Sequence, residues 1–174
     1  MPNEPQELLV SRKFRVVRHV TLARDGKPLT NDVVEHPGAV TILPLLDDGR
    51  VCLIRNERVA AGKTLIELPA GTLEPGEDPA LTASRELAEE TGYRAATVEK
   101  LREFFMSPGI LSERMHLFVA RGLEPGPAAL EPGENIQSLV VSWDDAVRMA
   151  LDGTIEDAKT LVGLLYYDRV RKDA

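Results

Sequence analysis

A segment with regularly placed glycines and acidic residues restricts the fold of this chain more than any other stretch. It runs LPAGTLEPGEDPALTASRELAEETGY over residues 68–93. Asp78 followed by Pro79 is typical of a helix start, because aspartate accepts hydrogen bonds from free backbone amides and proline fits the first turn. Gly92 is typical of a helix end, since glycine adopts a left-handed backbone conformation at little cost. The segment therefore predicts a helix over residues 79–91.

Three glutamates of this helix, Glu86, Glu89 and Glu90, share one narrow face when successive residues are placed about 100° apart. Leu87 and several small residues fill the other side, so we expect the acidic face to lie opposite the face that packs. Glu86 lies three and four residues before Glu89 and Glu90, and each of these like-charge pairs costs roughly a few tenths of a kcal/mol. The helix dipole also disfavours anions in the last turn. Arg85 can pair with Glu89, but its single charge cannot offset all the acids. A divalent cation could offset these charges, because Mg²⁺ and Mn²⁺ prefer carboxylate oxygens as ligands.

The segment RELAEE alone is also typical of a charged helix that simply faces solvent. Residues outside the helix favour the cation site over this alternative. The chain has the pattern G-x5-E-x7-R-E-L-x-E-E-x-G at Gly71, Glu77, Arg85, Glu86, Glu89, Glu90 and Gly92. This pattern resembles the signature box of the Nudix hydrolase family, with Tyr93 where the box usually has an aliphatic residue. The resemblance implies an α/β fold, a Nudix-type α/β/α sandwich with a mixed sheet. It also implies cleavage of diphosphates linked to another group, with Mg²⁺ or Mn²⁺ as cofactor.

The same resemblance implies roles for residues of the box. Glu86 and Glu90 would be the main metal ligands, Glu89 would share in this role, and the carbonyl of Ala70 would be a further ligand. Arg85, together with the loop glutamate of the box, would orient these carboxylates. Such a site suits the reaction, because cations that neutralise a diphosphate and lower the pKa of bound water allow hydroxide to approach it.

Three features outside the box resemble the ADP-ribose pyrophosphatase branch of the family. They are ELPAG at 67–71, Pro108 sixteen residues after the last glycine of the box, and IEDAKT at 155–160. In that branch a strand end, the box and a later loop contact the substrate, which implies contacts from Arg55, Arg58, Glu67, Gly71, Pro108 and Glu113. Asn56 stands where this branch usually has glutamine.

The branch also uses a glutamate from a late loop to position or deprotonate the attacking water. In EPGENIQ, Glu134 is our candidate for this role and Glu131 is the second. Glu113, in SPGILSERM, is a third candidate. Asn135 follows Glu134 where relatives often have paired acids, so the assignment of the base stays open among the three.

Alternating and apolar runs predict the strands around the box. Residues 12–23 and DVVEH, separated by the turn RDGK, predict an N-terminal β-hairpin, and AVTILPLL and RVCLIRN, joined by DDGR, predict a second. Pro44 indicates an edge or a bulge. VEKLREFFM, RMHLFVARGL and SLVVSW predict later strands, and Ser142 and Asp157 are expected to cap two C-terminal helices.

The length of 174 residues fits one domain with a small appended element. We place a small N-terminal β-hairpin element at residues 1–38 and the Nudix domain at residues 39–174. The N-terminal element resembles the part through which this branch dimerises by exchange, which implies a homodimer.

Composition excludes several classes of function. A net charge of −7 disfavours a nucleic-acid partner, since long nucleic acids demand a basic face. The single cysteine, Cys52, predicts a core residue and excludes a disulfide framework. No apolar run approaches the ~18 residues of a membrane span, and MPNEPQELL does not resemble a signal peptide, so we expect a cytoplasmic protein without membrane contact. His19, His36 and His116 lack metal-ligand spacing and are expected to be structural or exposed.

These patterns predict a Mg²⁺-dependent hydrolase that splits ADP-ribose, or a related nucleoside diphosphate sugar, into AMP and a sugar phosphate. A GDP-mannose or nucleoside triphosphate pyrophosphatase of the same family is one alternative. A module that binds ADP-ribose without cutting it is another, although the chain keeps all the acids of the box.

Overall fold

The computed structural model describes residues 4–172 of the chain. Its strands, in chain order, are β1 (Gln6–Val10), β2 (Arg15–Leu22), β3 (Pro28–Glu35), β4 (Ala39–Pro44), β5 (Val51–Arg58), β6 (Lys63–Glu67), β7 (Ala70–Thr72), β8 (Arg94–Phe105), β9 (Arg114–Glu124) and β10 (Ile136–Val141). Its helices are α1 (Pro79–Thr91), α2 (Trp143–Leu151) and α3 (Ala158–Lys172).

The strands form one mixed sheet and two antiparallel sheets. β4 and β9 are parallel neighbours at the centre of the mixed sheet, whose order is β7-β4-β9-β8. β5 lies between β10 and β6 in the second sheet, and β1, β2 and β3 form the third.

Alternating residues of the central strands face two separate cores. Ile42 of β4 and Phe118 of β9 share a buried cluster with Leu87 of α1. Leu43, the next residue of β4, belongs to the other cluster with Leu164 of α3. A strand that is apolar on both faces has to be covered on both sides, so α1 lies on one side of the mixed sheet and α2 and α3 on the other. The predicted α/β/α sandwich with a mixed sheet is confirmed.

The predicted hairpin between β4 and β5 is wrong, although its turn forms. Gly49 has a φ of 82°, and the amide of Leu46 donates to the carbonyl of Arg50 at 2.9 Å. The strands then separate after one bridge between Leu45 and Val51. β4 is buried along its whole length and joins the central sheet between β7 and β9, while β5 pairs with β6 and β10. The Asp-Gly turn is determined locally, but strand pairing depends on which partners can cover the apolar faces.

β6 and β7 are short strands that the sequence patterns did not predict. β7 pairs with the start of β4, from Ala39–Thr72 to Thr41–Ala70. Pro44 lies beyond this pairing at the end of β4, so its missing N–H leaves no bond to β7 unmade. The proline therefore lies at a local edge, as expected.

The N-terminal hairpin is confirmed, and a third strand extends it. β2 pairs with β3 from Arg15–Glu35 to Leu22–Pro28, and the unpredicted β1 pairs with the other edge of β2. The domain division and the homodimer stay predictions. Apolar side chains exposed on this small sheet are available to a second copy of the chain: Leu8, Leu9, Leu22 and Leu29.

α1 has the predicted bounds and the predicted caps. Asp78 accepts a hydrogen bond from the amide of Ala80 at 2.7 Å, and Gly92 takes the left-handed conformation with a φ of 78°. Ser142 and Asp157 accept backbone hydrogen bonds at the starts of α2 and α3, as predicted. Within residues 4–172, no helix has both the length and the apolar character needed to cross a membrane.

Candidate active site

The acidic face of α1 is turned toward the protein, so the expectation that it lies opposite the packing face is wrong. Glu90 is only 5% exposed and lies on the same side as the fully buried Ala83 and Leu87. Leu81, on the far side of the helix, is 67% exposed. At about 100° per residue, Ala83 and Leu87 lie beside the acids, and their packing on the mixed sheet decides the orientation of the helix.

Glu90 reaches the start of β7 inside the protein. Its Oε2 accepts a hydrogen bond from the backbone amide of Ala70 at 2.9 Å. Burial raises the pKa of Glu90 to about 8; the Ala70 amide opposes this rise, and the charges of Glu86 and Glu134 add to it. A buried carboxylate with such a raised pKa is a candidate ligand for a cation.

Glu86 packs directly against Gly71 of β7. A Cβ atom at residue 71 would lie 1.9 Å from Cδ of Glu86 and 2.1 and 2.4 Å from its two oxygens. Burial also raises the pKa of Glu86; Arg85 opposes this rise, and the charges of Glu89 and Glu134 add to it. The site therefore needs glycine at residue 71 because the carboxylate occupies the space that a side chain would fill.

Arg85 links the acids of α1 to the loop before the helix. Its Nη1 donates to Glu86 at 2.7 Å and to Glu89 at 3.1 Å. Its Nε and Nη2 donate to the two oxygens of Glu77 at 3.3 and 3.2 Å. The hydrogen bonds with Glu77 and the charge of Glu86 raise the pKa of Arg85. One guanidinium thus orients three carboxylates.

The donor set suits a hard divalent cation, although its carboxylates do not form a ready-made cage. Glu86, Glu89 and Glu90 offer the oxygen ligands that Mg²⁺ and Mn²⁺ prefer. In the part of the chain that the structure describes, no three His, Cys, Asp or Glu side chains are gathered closely enough to hold an ion together. Hydrogen bonds from Arg85 engage oxygens of Glu86 and Glu89, and these bonds compete with a cation.

A cleft of about 970 Å³ brings most of the predicted site residues together. Those that line it are Arg58, Glu67, Ala70, Gly71, Arg85, Glu86, Glu89, Glu90, Glu113, Glu131 and Glu134. Arg55 and Pro108 are not brought into the cleft. Arg55 is exposed and lies three residues before Arg58 on β5, hence on the opposite face of the strand. Pro108 is exposed in the turn that precedes β9.

Other residues of the cleft were missed by the sequence analysis. They include Arg12, Lys13, His36, Glu74, Asp157 and Lys159. Arg12 and Lys13 come from the turn between β1 and β2, and Asp157 and Lys159 from the start of α3. Asp157 was predicted only as a helix cap, and His36 only as structural or exposed. IEDAKT at 155–160 had marked the stretch that holds Asp157 and Lys159, and Glu74 lies inside the box. For Arg12, Lys13 and His36, spacing along the chain gives no signal, because each contact depends on how a distant element packs.

The loop between β9 and β10 carries two of the candidate bases into the cleft. The amide of Ala129 donates to the carbonyl of Glu89 at 2.9 Å, which ties the loop to the C-terminal end of α1. Further along the loop, Glu134 accepts a hydrogen bond from the amide of Glu131 at 2.9 Å. Both glutamates line the same cleft as the acids of α1.

Glu67 lies in the cleft, where its predicted contact with the substrate stays a prediction, and both of its carboxylate oxygens are bound by protein partners. Arg58 donates to its two oxygens at 2.8 and 2.6 Å, and Lys159 donates to one of them at 2.6 Å. Burial alone raises the pKa of Glu67, but the hydrogen bond from Arg58 and the charge of Lys159 outweigh it and hold the pKa below its ordinary value. Glu67 therefore orients Arg58, and Arg58 presents its charge to the cleft.

Residues 35–162 match the family model of the NUDIX domain, which covers more than half of the chain. The chain belongs to the Nudix family. The assignment made from the box is thereby confirmed.

Named relatives and a solved structure agree with this membership. This Nudix protein is 37% identical to the ADP-ribose pyrophosphatase of Bacillus subtilis (strain 168) over 144 residues, which cover 82% of this chain and 78% of the relative. It is 33% identical to the GDP-mannose pyrophosphatase of Cronobacter sakazakii (strain ATCC BAA-894) over 175 residues, which cover 90% of each protein. Its fold matches the crystal structure of an ADP compounds hydrolase with a TM-score of 0.85 and 23% identity, over 99% of this chain and 94% of that chain.

Glu90 makes the stability of this Nudix protein depend on pH when no cation is bound. Its pKa of about 8 lies above the ordinary 4.5, so the folded state binds the Glu90 proton more tightly than the unfolded chain does. The stabilising contribution is complete below the unfolded pKa and is lost as the pH rises through the folded pKa, and the whole loss amounts to roughly 5 kcal/mol. Glu90→Gln should remove this dependence, because the glutamine stays neutral and still accepts the Ala70 hydrogen bond.

Urea unfolding of both proteins at pH 5, 6.5 and 8, with EDTA present, measures this difference. The free energy of unfolding of Glu90→Gln should match that of the parent at pH 5 and exceed it by roughly 3 kcal/mol at pH 8. Parallel pH profiles for the two proteins would contradict the assignment.

Proposed function

We propose that this Nudix protein is a divalent-metal-dependent pyrophosphatase that hydrolyses ADP-ribose, or a closely related nucleoside diphosphate sugar, to AMP and a sugar phosphate. The observation that carries the proposal is that the cleft joins the acids Glu86 and Glu90 to the cation Arg58. Acids of this kind suit a metal-bound diphosphate, and arginine suits a phosphate oxygen. The 37% identity with the ADP-ribose pyrophosphatase of Bacillus subtilis supports the choice of substrate.

Mg²⁺ or Mn²⁺ is the cofactor that fits the donors of the cleft. Glu86, Glu89 and Glu90 would hold it, together with the carbonyl of Ala70. When bound, the cation would neutralise the diphosphate and lower the pKa of coordinated water. Glu90 would then lose the elevation of its pKa that burial now causes.

Protein side chains would position the substrate and handle the proton. Arg58 would bind a phosphate oxygen, and Arg85 would keep Glu86 and Glu89 oriented. Glu134 would accept a proton from the attacking water as the water oxygen bonds to one phosphorus. The bond between that phosphorus and the bridging oxygen would break, and the bridging oxygen would leave with the other phosphate.

The role of Glu134 is open to a direct test. Glu134→Gln should lower kcat by about 10²-fold, toward the lower end of what general-base catalysis contributes, because an exposed loop leaves bulk water within reach. KM should change little, since the glutamine has the size of the native side chain. Steady-state kinetics of Glu131→Gln and Glu113→Gln provide the comparison. A larger loss of kcat in either of these variants would transfer the role to that residue.

A panel of substrates tests the proposed function as a whole. The purified protein is incubated with Mg²⁺ and either ADP-ribose, GDP-mannose or a nucleoside triphosphate, and products are separated by chromatography. We expect kcat/KM for ADP-ribose to exceed the other values by at least about tenfold, which corresponds to 1.4 kcal/mol of differential binding in the transition state. AMP and ribose phosphate should appear in equal amounts.

GDP-mannose hydrolysis is the second candidate, because the relative named for it aligns over 90% of both chains. Rapid GDP-mannose turnover beside intact ADP-ribose would establish this candidate and overturn the first. Binding of ADP-ribose without turnover of any substrate would instead indicate a module that only binds its ligand.

A further inference from the structure

A cluster of four charged side chains, two of them buried, lines one part of the cleft. It consists of Arg58 at the end of β5, Glu67 at the end of β6, and Asp157 and Lys159 at the start of α3. The side chains of Glu67 and Lys159 are 1% and 8% exposed, and Lys159 donates to Glu67 at 2.6 Å and contacts Asp157 at 2.9 Å. Glu67 and Lys159 are 92 residues apart in the chain.

Arg58 is held in this cluster by one edge of its guanidinium. Its Nε and Nη2 donate to the two oxygens of Glu67, and this parallel pair of hydrogen bonds restricts the orientation of the planar group. Among residues 4–172, Nη1 of Arg58 has no hydrogen-bond partner. The side chain remains 40% exposed in the cleft, so the free edge is available to an anion.

The charge balance of the cluster depends on Lys159. Two cations, Arg58 and Lys159, face two carboxylates, Glu67 and Asp157, and the charges of Glu90 and Asp157 also act on Arg58. Without Lys159, both carboxylates would compete for the one remaining guanidinium. A buried carboxylate that loses its partner is costly, so Arg58 would be drawn toward the interior.

We propose that Lys159 is a positioning residue for Arg58: by balancing Asp157 and sharing Glu67, it leaves the free edge of the guanidinium available for a phosphate of the substrate. The identity of that substrate rests on the function proposed above. The positioning itself rests on the contacts of the cluster.

The competing explanation is that Lys159 only anchors α3. The same region has purely structural bonds, because Thr160 accepts a hydrogen bond from the amide of Leu68 at 2.7 Å. An anchor of this kind affects the amount of folded protein and its stability. It does not change KM selectively, and its effect does not depend on whether Arg58 is present.

Kinetics of single and double variants separate the two explanations. Lys159→Met should raise KM for ADP-ribose by about tenfold with kcat within about threefold of the parent, and Lys159→Arg should restore KM because it keeps the charge. Arg58→Met should raise KM similarly. In the Arg58→Met background, Lys159→Met should add less than about twofold, since residues that act through each other are not additive. Additive effects, or no rise in KM for Lys159→Met, would overturn the proposal.

Lys63→Met is the matched control. Lys63 forms an ion pair of the same length, 2.6 Å, with Glu156, but both side chains are about half exposed. The KM of Lys63→Met for ADP-ribose should stay within about twofold of the parent value, because exposed ion pairs contribute little to the stability of a structure. If Lys159→Met does not fold, Lys159→Gln replaces it throughout, since the amide can still donate to Glu67 but carries no charge.

A second readout does not depend on turnover. The Nε–H resonance of Arg58, assigned by its loss in Arg58→Met, reports on the hydrogen bond to Glu67 in a ¹H–¹⁵N NMR spectrum. Lys159→Met or Lys159→Gln should shift this resonance and speed its exchange with water. Lys63→Met changes the residue that pairs with Arg58 across β5 and β6, and it should leave the rate of this exchange unchanged. An unshifted, equally protected resonance would overturn the positioning role. Absence of ADP-ribose turnover in the parent would refute the proposed function, and the resonance would still decide the role of Lys159.

Discussion

Glu86→Gln is expected to lower kcat for ADP-ribose hydrolysis by at least about 10³-fold, a loss of roughly 4 kcal/mol in transition-state stabilisation. The substitution keeps the size of the side chain and one oxygen that can accept the hydrogen bond from Arg85. It removes the negative charge with which Glu86 would hold a divalent cation. The protein should remain folded, because burial already disfavours the charged form of Glu86 and raises its pKa.

Two measurements check this expectation. The rate of AMP release gives kcat, and calorimetric titration with Mn²⁺ gives the affinity for the cation, which should fall together with the rate. Glu99→Gln is the control, because Glu99 is an exposed glutamate on β8 outside the cleft. A Glu86→Gln variant with kcat within tenfold of the parent would refute the placement of the metal on α1.

Gly71→Ala is expected to lower kcat by more than about 10²-fold with little change in stability. The new Cβ would lie 1.9 Å from Cδ of Glu86, well inside van der Waals contact, so the carboxylate has to move. Misplacement of a reacting group by about 1 Å can cost 10²-fold in rate. The movement itself is inexpensive because it concerns the end of a flexible side chain. The free energy of unfolding should therefore change by no more than about 1 kcal/mol.

Gly49→Ala is the counterpart that separates stability from activity. Gly49 has a φ of 82° in the turn after β4, and nothing lies within 4 Å of a Cβ placed there. The alanine should cost about 1 kcal/mol of stability through backbone strain and leave kcat unchanged. Urea unfolding and kinetics of both variants give the comparison. If Gly71→Ala loses activity only in proportion to stability, Glu86 does not need the space over residue 71.

Local signals account for what the sequence predicted well. The bounds of α1 follow from Asp78, Pro79 and Gly92, each of which acts on backbone groups within one turn of the helix. The caps at Ser142 and Asp157 are of the same kind. The turn around Gly49 also formed as predicted, although the strands on either side of it joined different sheets.

The orientation of α1 was predicted wrongly because local polarity was the only guide. Charged residues usually face solvent, and from the helix alone Leu81 and the small residues are equally acceptable as a packing face. The packing of Ala83 and Leu87 on β4 and β9 reversed this choice and carried Glu90 into the interior. A functional site is where such a conflict between local pattern and fold is expected.

By itself, the sequence determined the acidic helix, its caps and the spacing of the box, and with them the Nudix family and the oxygen ligands suited to a hard cation. These features depend on residues that lie within a few turns of one another. Only the tertiary structure decided that Glu86 fills the space over Gly71, that Lys159 reaches Glu67 across 92 residues, and that Arg55 stays outside the cleft. Each of these contacts joins separate elements, and the distance between separate elements is set by how sheets and helices cover their apolar faces.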